Sequence, residues 1–341
     1  MESPLASTGV LIGVILCAAC GSSGTGGQSS GAGGAGSSSS SGGTAATTSS
    51  SSSSGGDGDG GFVPKHVFTI VLENHDYDEI VGSTNAPYIN SLIASYGLAT
   101  NYMDSGTHPS LPNYLYLVSG ATQYGGGVDL EPTPGPSFGQ FPVAADNLGN
   151  QLQGASVPWR SYQESMGTAC TLASAGEFAC KHDPFLYFTD IQSGANDLCA
   201  KTNVDFTSFA ADLAADTYRY LWITPNLLDD GHDPNATAAD IVTGLKQSDS
   251  WLSTQVPKIL ASAAYKDGGV LFITWDEAEG RNGDSKDQVP MIIVTEGITS
   301  AGYKSSVAYT HASYLATVEN IFGLPKLGAA ATAKSMEEFW R

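Results

Sequence analysis

Ser110 stands in a segment whose residue types suit nucleophilic chemistry. The segment, residues 107–114, reads THPSLPNY. Its Pro112 is favoured in the first turn of a helix, so the Ser110 hydroxyl is predicted at a helix N-terminus. There the backbone N–H groups and the helix dipole stabilise negative charge, which favours a serine alkoxide and a bound phosphate. The alternative is that Ser110 only caps the helix.

A serine hydroxyl is a weak nucleophile, and it needs a neighbouring base or a metal ion on its oxygen. Candidate ligands follow two predicted strands: Glu73 and Asn74 after the first, Asp276 and Glu277 after a later one. This oxygen-rich set suits a hard divalent cation, and Mg, Ca, Mn and Zn are all compatible with it. Taken pairwise, such carboxylates are more often solvated loop residues or helix caps.

Five of the six histidines lie in motif-like contexts. They are His75, His108, His182, His232 and His311. Imidazoles donate hydrogen bonds to phosphate oxygens, and one can protonate a leaving alkoxide. Each histidine taken alone is more often structural, which is the role we assign to His66 at the edge of a strand. Together they indicate an anion site.

The elements that must position these residues are predicted from apolar patterns. Continuous apolar runs predict strands at 66–72, 218–224, 269–275 and 290–295, and helical patterns fall at 87–96, 112–118, 206–215, 238–263 and 311–322. Strands alternating with helices predict an α/β fold with a mostly parallel central sheet flanked by helices on both faces. In such sheets ligands bind beyond the carboxyl ends of the strands. Three predicted strands deliver acids or histidines to that edge.

The first 61 residues differ in composition from the rest of the chain. Residues 1–20 resemble a bacterial lipoprotein signal peptide that ends at Cys20, with ordinary secretion and a misread start as alternatives. Residues 21–61 are almost entirely Gly, Ser, Ala and Thr, which predicts a disordered linker. Residues 62–341 have a normal composition and predict one catalytic domain. We therefore expect an exported protein, most simply a cell-envelope lipoprotein.

The charge of the chain excludes one class of partner. Its formal net charge is -20, from 34 acidic and 14 basic residues. Such a chain lacks the diffuse basic surface that binds polyanions, so nucleic acid is not expected as a partner. A small phosphorylated molecule can still bind where a metal ion or a few histidines reverse the local field. We expect a monomer that contacts membranes only through a lipid anchor at Cys20.

Three cysteines remain in the body of the chain: Cys170, Cys180 and Cys199. Export permits disulfides, but the sequence alone does not fix the pairing. We favour Cys170 with Cys199, which would close an insertion loop and leave Cys180 as a buried free thiol.

Ordered motifs spread over residues 62–324 resemble those of a known family. They are LENHDY at 72–77, THPSLPNY at 107–114, KHDPF at 181–185, TPN at 224–226 leading to DGHD at 230–233, WDE at 275–277, and THASY at 310–314 leading to ENIFGL at 319–324. The chain is similar to the bacterial and fungal phosphoesterases that include acid phosphatases and phospholipases C, relatives of the alkaline phosphatase superfamily. An alkaline-phosphatase-like fold is what this resemblance implies.

The resemblance also implies roles for individual residues. Ser110 would attack phosphorus in line and form a phosphoseryl intermediate, which water then hydrolyses. The implied metal ligands are Glu73, Asn74, Asp276 and Glu277, with Asp230 as a secondary candidate. The implied phosphate ligands are Asn113, His108 and His182, together with His232 and His311, one of the histidines acting as general acid.

The number of metal ions stays open between one and two. We favour one metal, with histidines replacing the second, whereas in distant relatives groups like Asp230, His232 and His311 hold a second zinc ion. A histidine-rich phosphate site also predicts an acidic pH optimum, because imidazolium binds the phosphate dianion best below its pKa. A pH profile still rising above neutrality would favour two metals.

We therefore expect an acid-phosphatase-like phosphomonoesterase that depends on a divalent metal ion. The rival within the class is a phospholipase C, which would cleave phosphodiesters and bind a phospholipid head group. Lipid-cleaving members of the family tend to be larger, with extra C-terminal domains, which favours the phosphatase. A rival of another class is a binding protein that kept the fold and lost the reaction.

Overall fold

The computed structural model describes residues 61–133, 140–232, 238–280 and 287–341, except for the side chains of 238–240. The expected signal peptide and nearly all of the expected linker lie outside the described residues. In the part described, no helix is long and apolar enough to cross a membrane.

A central sheet organises the described residues. The strands are β1 (His66–Leu72), β2 (Gly97–Ala99), β3 (Tyr102–Met103), β4 (Trp159–Gln163), β5 (Asn203–Asp205), β6 (Tyr220–Thr224), β7 (Gly269–Trp275), β8 (Met291–Thr295), β9 (Tyr303–Ser305) and β10 (Tyr309–Thr310). Eight of them form one sheet in the order β5-β4-β6-β1-β7-β8-β2-β9, and β3 pairs with β10 separately. Only β8 runs against its neighbours in the eight-stranded sheet, so the prediction of a mostly parallel sheet is confirmed.

Helices cover this sheet. They are α1 (Tyr77–Ile80), α2 (Pro87–Ser95), α3 (Ser110–Ser119), α4 (Leu148–Gly154), α5 (Thr189–Gln192), α6 (Leu198–Thr202), α7 (Phe209–Ala215), α8 (Ala238–Ala261), α9 (Ala263–Lys266) and α10 (His311–Phe322). Short 3-10 helices lie at Cys180–His182, Pro184–Tyr187, Phe206–Ser208, Gly328–Ala331 and Glu337–Phe339. Every residue of β1 and β7 is buried. Since successive side chains of a strand point to opposite faces, both faces of the sheet are covered.

The continuous apolar runs predicted the central strands well. Those at 66–72 and 269–275 match β1 and β7, and the others overlap β6 and β8 to within two residues. The outer strands β2, β4, β5 and β9 were missed. They have three to five residues and mixed composition, such as WRSYQ in β4, so no period of two or continuous apolar run marks them. Their pairing is decided by tertiary contacts.

Helix α10 is fastened to the middle of the sheet by buried hydroxyl groups. The Tyr314 hydroxyl lies 2.6 Å from the Thr69 hydroxyl of β1 and 3.0 Å from the Tyr220 hydroxyl of β6. These three side chains are fully buried. Buried hydroxyl groups that pair with one another avoid the cost of desolvation without a partner. These contacts hold α10 against β1 and β6, and they thereby fix the position of His311, the first residue of that helix.

The disulfide joins Cys170 to Cys199, and Cys180 is a buried free thiol. The favoured pairing is thus confirmed. Cys199 lies in α6, beside β5, and the backbone N–H of Cys170 donates to Asn203 in β5. The bond therefore attaches the insertion after β4 to the edge of the sheet.

We expect the double change Cys170→Ala and Cys199→Ala to lower the free energy of unfolding by about 3–4 kcal/mol, because a cross-link across 29 residues restricts the unfolded chain. Denaturant titration of the oxidised protein measures this loss. Cys180→Ala is the matched control, since it truncates a buried thiol that closes no loop. If the double variant were no less stable than this control, the cross-link would contribute nothing.

Candidate functional site

The parallel pairing of β6, β1 and β7 brings three acidic residues to one edge of the sheet. Beyond the strands, the backbone N–H of Glu73 donates to the carbonyl of Asp230 at 2.9 Å, and that of Asp276 donates to the carbonyl of Leu72 at 3.0 Å. The ladder therefore continues for one residue past β1 and β7, and Asp230, six residues after the end of β6, returns to the same edge. Three acidic side chains far apart in sequence consequently stand side by side, fully buried. This is the edge at which the sequence predicted a site.

Asn74 adopts a left-handed backbone conformation immediately after Glu73. Its φ is 49°, which is uncommon outside glycine although asparagine tolerates it. Its backbone N–H donates to the Asp276 carboxylate at 3.1 Å, and its side-chain amide donates to Glu279 at 2.6 Å. The sharp turn therefore directs the side chains of both Glu73 and Asn74, which follow β1, into the same site.

Ser110 is the first residue of α3. The N-cap is Pro109, so the alternative in which Ser110 merely caps the helix is excluded. Its hydroxyl donates to Oε2 of Glu73 at 3.1 Å. Ser110 is 1% exposed. The predicted helix N-terminus thus carries the serine to the strand-end carboxylate.

Two histidines surround Glu73. Nε2 of His182 lies 3.0 Å from Oε1 of Glu73, although the two atoms are not aligned for a hydrogen bond, and Nδ1 of His232 lies 3.4 Å from Oε2. His182 is buried and stacks on the ring of Tyr114 at 5.2 Å. His232 keeps 30% of its side chain exposed. One imidazole is therefore enclosed, and the other faces solvent.

The KHDPF segment is held by its last residues. Asp183 accepts a hydrogen bond of 3.1 Å from the Ser161 hydroxyl of β4, and Phe185 packs between Trp159 and Trp222 with ring centroids 4.7 and 5.8 Å away. All five of these side chains are buried. Anchored in this way, the segment directs the two residues before Asp183 into the site.

The carboxylates of the site crowd one another. Burial, followed by the negative charges of Glu73 and Glu277, raises the pKa of Asp276 well above its ordinary value, and burial together with Glu73 does the same for the pKa of Asp230. Burial also opposes ionisation of Glu73, but the charges of His182 and Lys181 outweigh it and hold the pKa of Glu73 well below its ordinary value. A positive charge placed among these carboxylates would therefore be stabilised.

The same carboxylates offer oxygen atoms to a cation. Oε1 of Glu73, Oδ2 of Asp230 and Oδ2 of Asp276 are buried without a hydrogen-bond partner in the part of the chain that the structure describes. Buried polar atoms are normally hydrogen-bonded, and an ionised carboxylate oxygen without a partner is costly. Hard oxygen donors are the ligands of divalent cations. The donor set therefore fits a divalent metal ion.

Glu277, Asn113 and His108 form the side of the site nearer the surface. Oε2 of Glu277 accepts from the Asn113 amide at 3.1 Å and lies 2.7 Å from Nδ1 of His108. The hydrogen bond with Glu277 raises the pKa of His108 to about 9. The Asn113 amide also donates to the carbonyl of Thr107 at 3.0 Å. Asn113 therefore shapes the serine loop in this structure, while His108 reaches the surface.

His311 lies next to Asp276, one of the predicted metal ligands. Its Nε2 is 2.7 Å from the backbone carbonyl of Asp276, and its Nδ1 is 2.9 Å from the Tyr102 hydroxyl. Burial lowers the pKa of His311 to about 4, so the ring is neutral and Nε2 donates to the carbonyl. Both ring nitrogens are thus engaged with protein groups. The ring supports Asp276 and does not face the Ser110 hydroxyl.

The remaining predicted histidine, His75, is also held by the protein. Its Nδ1 lies 3.0 Å from Glu79, and its Nε2 lies 2.9 Å from the carbonyl of Gly231. It joins the end of β1 to the loop that carries His232. This is a structural contact.

Sequence reasoning missed Lys181 and Asp129. The Lys181 ammonium donates to the Ser110 hydroxyl at 3.0 Å and lies 2.9 Å from Asp129. Asp129 also accepts from the backbone N–H of Leu111 at 3.1 Å. The position of Lys181 just before His182 in KHDPF was the available signal. Asp129 lies in a loop with no pattern that would have marked it.

A second group of possible ligands lies beside His108. Atoms of Asp104, His108 and Asp287 come within 4.8 Å of one another. Burial raises the pKa of Asp104 to about 7, and its two oxygens accept backbone N–H groups of Gly106 and Ala278. Asp104 therefore already holds the loops on either side of the site.

The cavity at the site is smaller than another cavity elsewhere. A space of about 290 Å³ is lined by His108, Pro109, Glu277, Ala278 and Glu279. A cavity of about 570 Å³ lies at α7, α8 and α9 and shares none of these lining residues. We assign the chemistry to the smaller cavity, because His108 and Glu277 line it and Glu277 accepts a hydrogen bond from Asn113 in the serine helix.

Comparisons with known proteins agree with this geometry. Residues 83–325 match the profile of the phosphoesterase family. The chain is 30% identical to the phosphatidylinositol-3-phosphatase of Mycobacterium tuberculosis over 280 residues, which cover 81% of this chain and 82% of the relative. It is 27% identical to the acid phosphatase of Aspergillus fumigatus over 272 residues, which cover 76% of this chain and 55% of the relative.

A solved structure supports the fold. A protein of the alkaline phosphatase superfamily from Vibrio parahaemolyticus superposes with a TM-score of 0.51 at 11% identity, over 81% of this chain and 75% of the other. An identity this low bears on the fold alone. The expected alkaline-phosphatase-like architecture is therefore confirmed.

Proposed function

This chain belongs to the phosphoesterase family and hydrolyses phosphoric ester bonds, and we propose that it does so as a metal-dependent phosphomonoesterase with Ser110 as nucleophile. One observation carries the proposal. Ser110 is buried and begins helix α3, and its hydroxyl donates to the carboxylate of Glu73, the residue that follows the central strand β1. A helix N-terminus favours a bound phosphate at the same place.

The proposed metal ligands are the strand-end groups Glu73, Asn74, Asp276 and Glu277, with Asp230 as a further candidate. Their support is the chemistry of the donors and the unpartnered oxygens of Glu73, Asp230 and Asp276. When bound there, a divalent cation would lower the pKa of the serine hydroxyl and offset charge on the transferring phosphoryl group.

In the proposed first half of the reaction, Ser110 Oγ bonds to phosphorus as the bond from phosphorus to the leaving oxygen breaks. The hydroxyl proton passes to solvent, because Glu73, which accepts its hydrogen bond, is a proposed metal ligand whose pKa lies well below its ordinary value. His232 gives a proton to the leaving alkoxide, because it is the partly exposed imidazole beside Glu73. The product alcohol departs, and a phosphoserine remains.

In the proposed second half, water attacks the phosphoserine from the side that the alcohol left. His232, now neutral, accepts the proton of that water. The bond between phosphorus and Ser110 Oγ breaks, and the serine recovers a proton from solvent. Inorganic phosphate leaves, and both groups return to their starting protonation states.

We assign phosphate binding to His182 and His108, and we retain Asn113 as a candidate. His182 is enclosed beside Glu73, whereas His108 lines the cavity mouth. For His311 we propose a positioning role, because its ring nitrogens bond to Asp276 and Tyr102. The acidic pH optimum stays a prediction: the hydrogen bond with Glu73 raises the pKa of His232, but burial lowers the pKa of His182.

A monoester is the proposed substrate class over a diester. Both relatives described above carry names of phosphatases, one acting on a phosphorylated inositol lipid and one described as an acid phosphatase.

The test compares an aryl phosphate monoester with the methyl diester of the same aryl alcohol, using the purified full chain loaded in turn with Mg, Ca, Mn and Zn. We expect faster turnover of the monoester and a phosphorylated peptide containing Ser110 after acid quench. Preferential cleavage of the diester would favour a phospholipase C activity. Phosphorylation at any other residue would overturn the assignment of the nucleophile.

Export as a lipoprotein remains a proposal carried by residues 9–20 of the sequence. The mass of the mature N-terminal peptide tests it. A lipid-modified peptide beginning at Cys20 is expected, and an unmodified N-terminus upstream of that residue would contradict it.

A further inference from the structure

A single lysine stands at the nucleophile. Of the lysines and arginines whose side chains the structure describes, Lys181 is the one that contacts the Ser110 hydroxyl, at 3.0 Å. Its ammonium also lies 3.6 Å from Glu73 and 2.9 Å from Asp129. The side chain is only 17% exposed. A long cationic side chain is thus held inside a carboxylate-rich site, against the atom that would attack phosphorus.

Its environment keeps Lys181 charged. A lysine has an ordinary pKa of about 10.4, and the carboxylates of Glu73 and Asp129 lie 3.6 and 2.9 Å from this ammonium. The two histidines differ from it, because an imidazole loses its charge near neutral pH. Lys181 is therefore a permanent positive charge at the site.

Asp129 accepts from two donors beside Ser110. One is the Lys181 ammonium, and the other is the backbone N–H of Leu111 in the first turn of α3. A helix N-terminus and an ammonium are typical phosphate-binding groups, and here the Asp129 carboxylate occupies both. The Asp129 side chain is 30% exposed.

We propose that Lys181 is a catalytic residue that contacts the nucleophile and the transferring phosphoryl group, and that its charge selects dianionic phosphate monoesters over monoanionic diesters. Asp129 is the positioning residue that holds the ammonium until phosphate replaces it. This inference rests on the proposed function and names the group that sets its substrate class.

Charge counting gives the reason for selectivity. Near neutral pH a monoester carries close to two negative charges, since the second pKa of a phosphate monoester is about 6, whereas a diester carries one. The Glu73 carboxylate beside the Ser110 hydroxyl adds negative charge to the site. Bringing a second substrate charge into it is unfavourable unless a cation compensates. Lys181 supplies that compensation for the monoester, and the diester needs it less.

The experiment measures kcat/KM of the metal-loaded full chain near neutral pH on the aryl monoester and on its methyl diester. Lys181→Met should lower the value for the monoester by ~10²–10³-fold, the usual effect of removing one stabilising donor from a transition state. The value for the diester should fall by less than ~10-fold, because its charge is smaller. Lys181→Arg should retain the preference for the monoester.

Two further variants keep the test decisive. Lys181→Gln retains a donor to Ser110 without the charge, so it should lose the preference as the Met variant does, and it stands in if the Met variant fails to fold. Lys201→Met is the matched control, an exposed lysine on α6 that should leave both substrates unaffected.

An equal fall on the two esters, or a retained preference in folded Lys181→Gln, would overturn the inference. The proposed function fails in a different way, through unchanged turnover by Ser110→Ala. The two failures are therefore distinguishable.

Discussion

Ser110→Ala is expected to lower kcat/KM for a phosphate monoester by at least ~10³-fold, because it removes the atom that we propose forms the covalent intermediate. The folded protein should survive the change. The hydroxyl makes its hydrogen bond to Glu73 in a buried site, and one such bond contributes about 1 kcal/mol, or up to ~3 kcal/mol when it involves a charged group. Steady-state kinetics and the melting temperature measure the two effects separately.

The matched control for this variant is Ser119→Ala. Ser119 ends the same helix and is also buried, but its hydroxyl donates to the carbonyls of Leu115 and Ala121. It should lose stability to a similar extent and keep full turnover. Equal turnover in the two variants, at the wild-type rate, would remove Ser110 from the mechanism.

Asp276→Asn has the second large expected effect, because it removes a negative ligand from the proposed cation site. We expect loss of bound metal, measured by elemental analysis of the dialysed protein, and a fall in kcat/KM of ~10²-fold or more, since a metal ion contributes several kcal/mol to such reactions. Metal binding should stabilise the wild-type fold by about 2.7 kcal/mol at a hundred times its Kd. The Asp276→Asn variant should lack this stabilisation by the metal ion.

The metal-free protein gives a readout that does not depend on activity. In the wild type, burial and then the negative charges of Glu73 and Glu277 raise the pKa of Asp276. The neutral amide relieves that repulsion, so metal-free Asp276→Asn should melt at a higher temperature than the metal-free wild type. The same change at Asp212, which pairs with Arg160, should leave the response to metal intact. A wild-type metal response in Asp276→Asn would exclude it as a ligand.

Particular residues show how far the sequence reached into the site. The apolar runs of β1 and β7 marked the central strands, and Glu73 and Asp276 followed as the first polar residues after them. Pro112 indicated the start of α3, which the structure places at Ser110. These are local signals, because burial and helix capping leave traces in neighbouring residues.

The sequence could not separate the histidines by role. Four of the five resembled phosphate ligands and His75 lay in a similar motif, yet His75 and His311 are engaged with protein groups on both ring nitrogens. His232 is the one beside Glu73 that faces solvent. A ring's role depends on which atoms surround it. Those atoms come from other elements of the chain.

By itself, the sequence determined the α/β class, the central strands, the helix that begins at Ser110 and the acidic edge of the sheet. The tertiary structure alone decided that Lys181 contacts Ser110 across 71 residues, that Asp129 holds this lysine, and that His311 lies behind Asp276. The physical reason is the separation along the sequence of the residues that decide each feature. Secondary structure follows from periodicity among near neighbours, whereas side-chain contacts depend on strand register and on where long loops return.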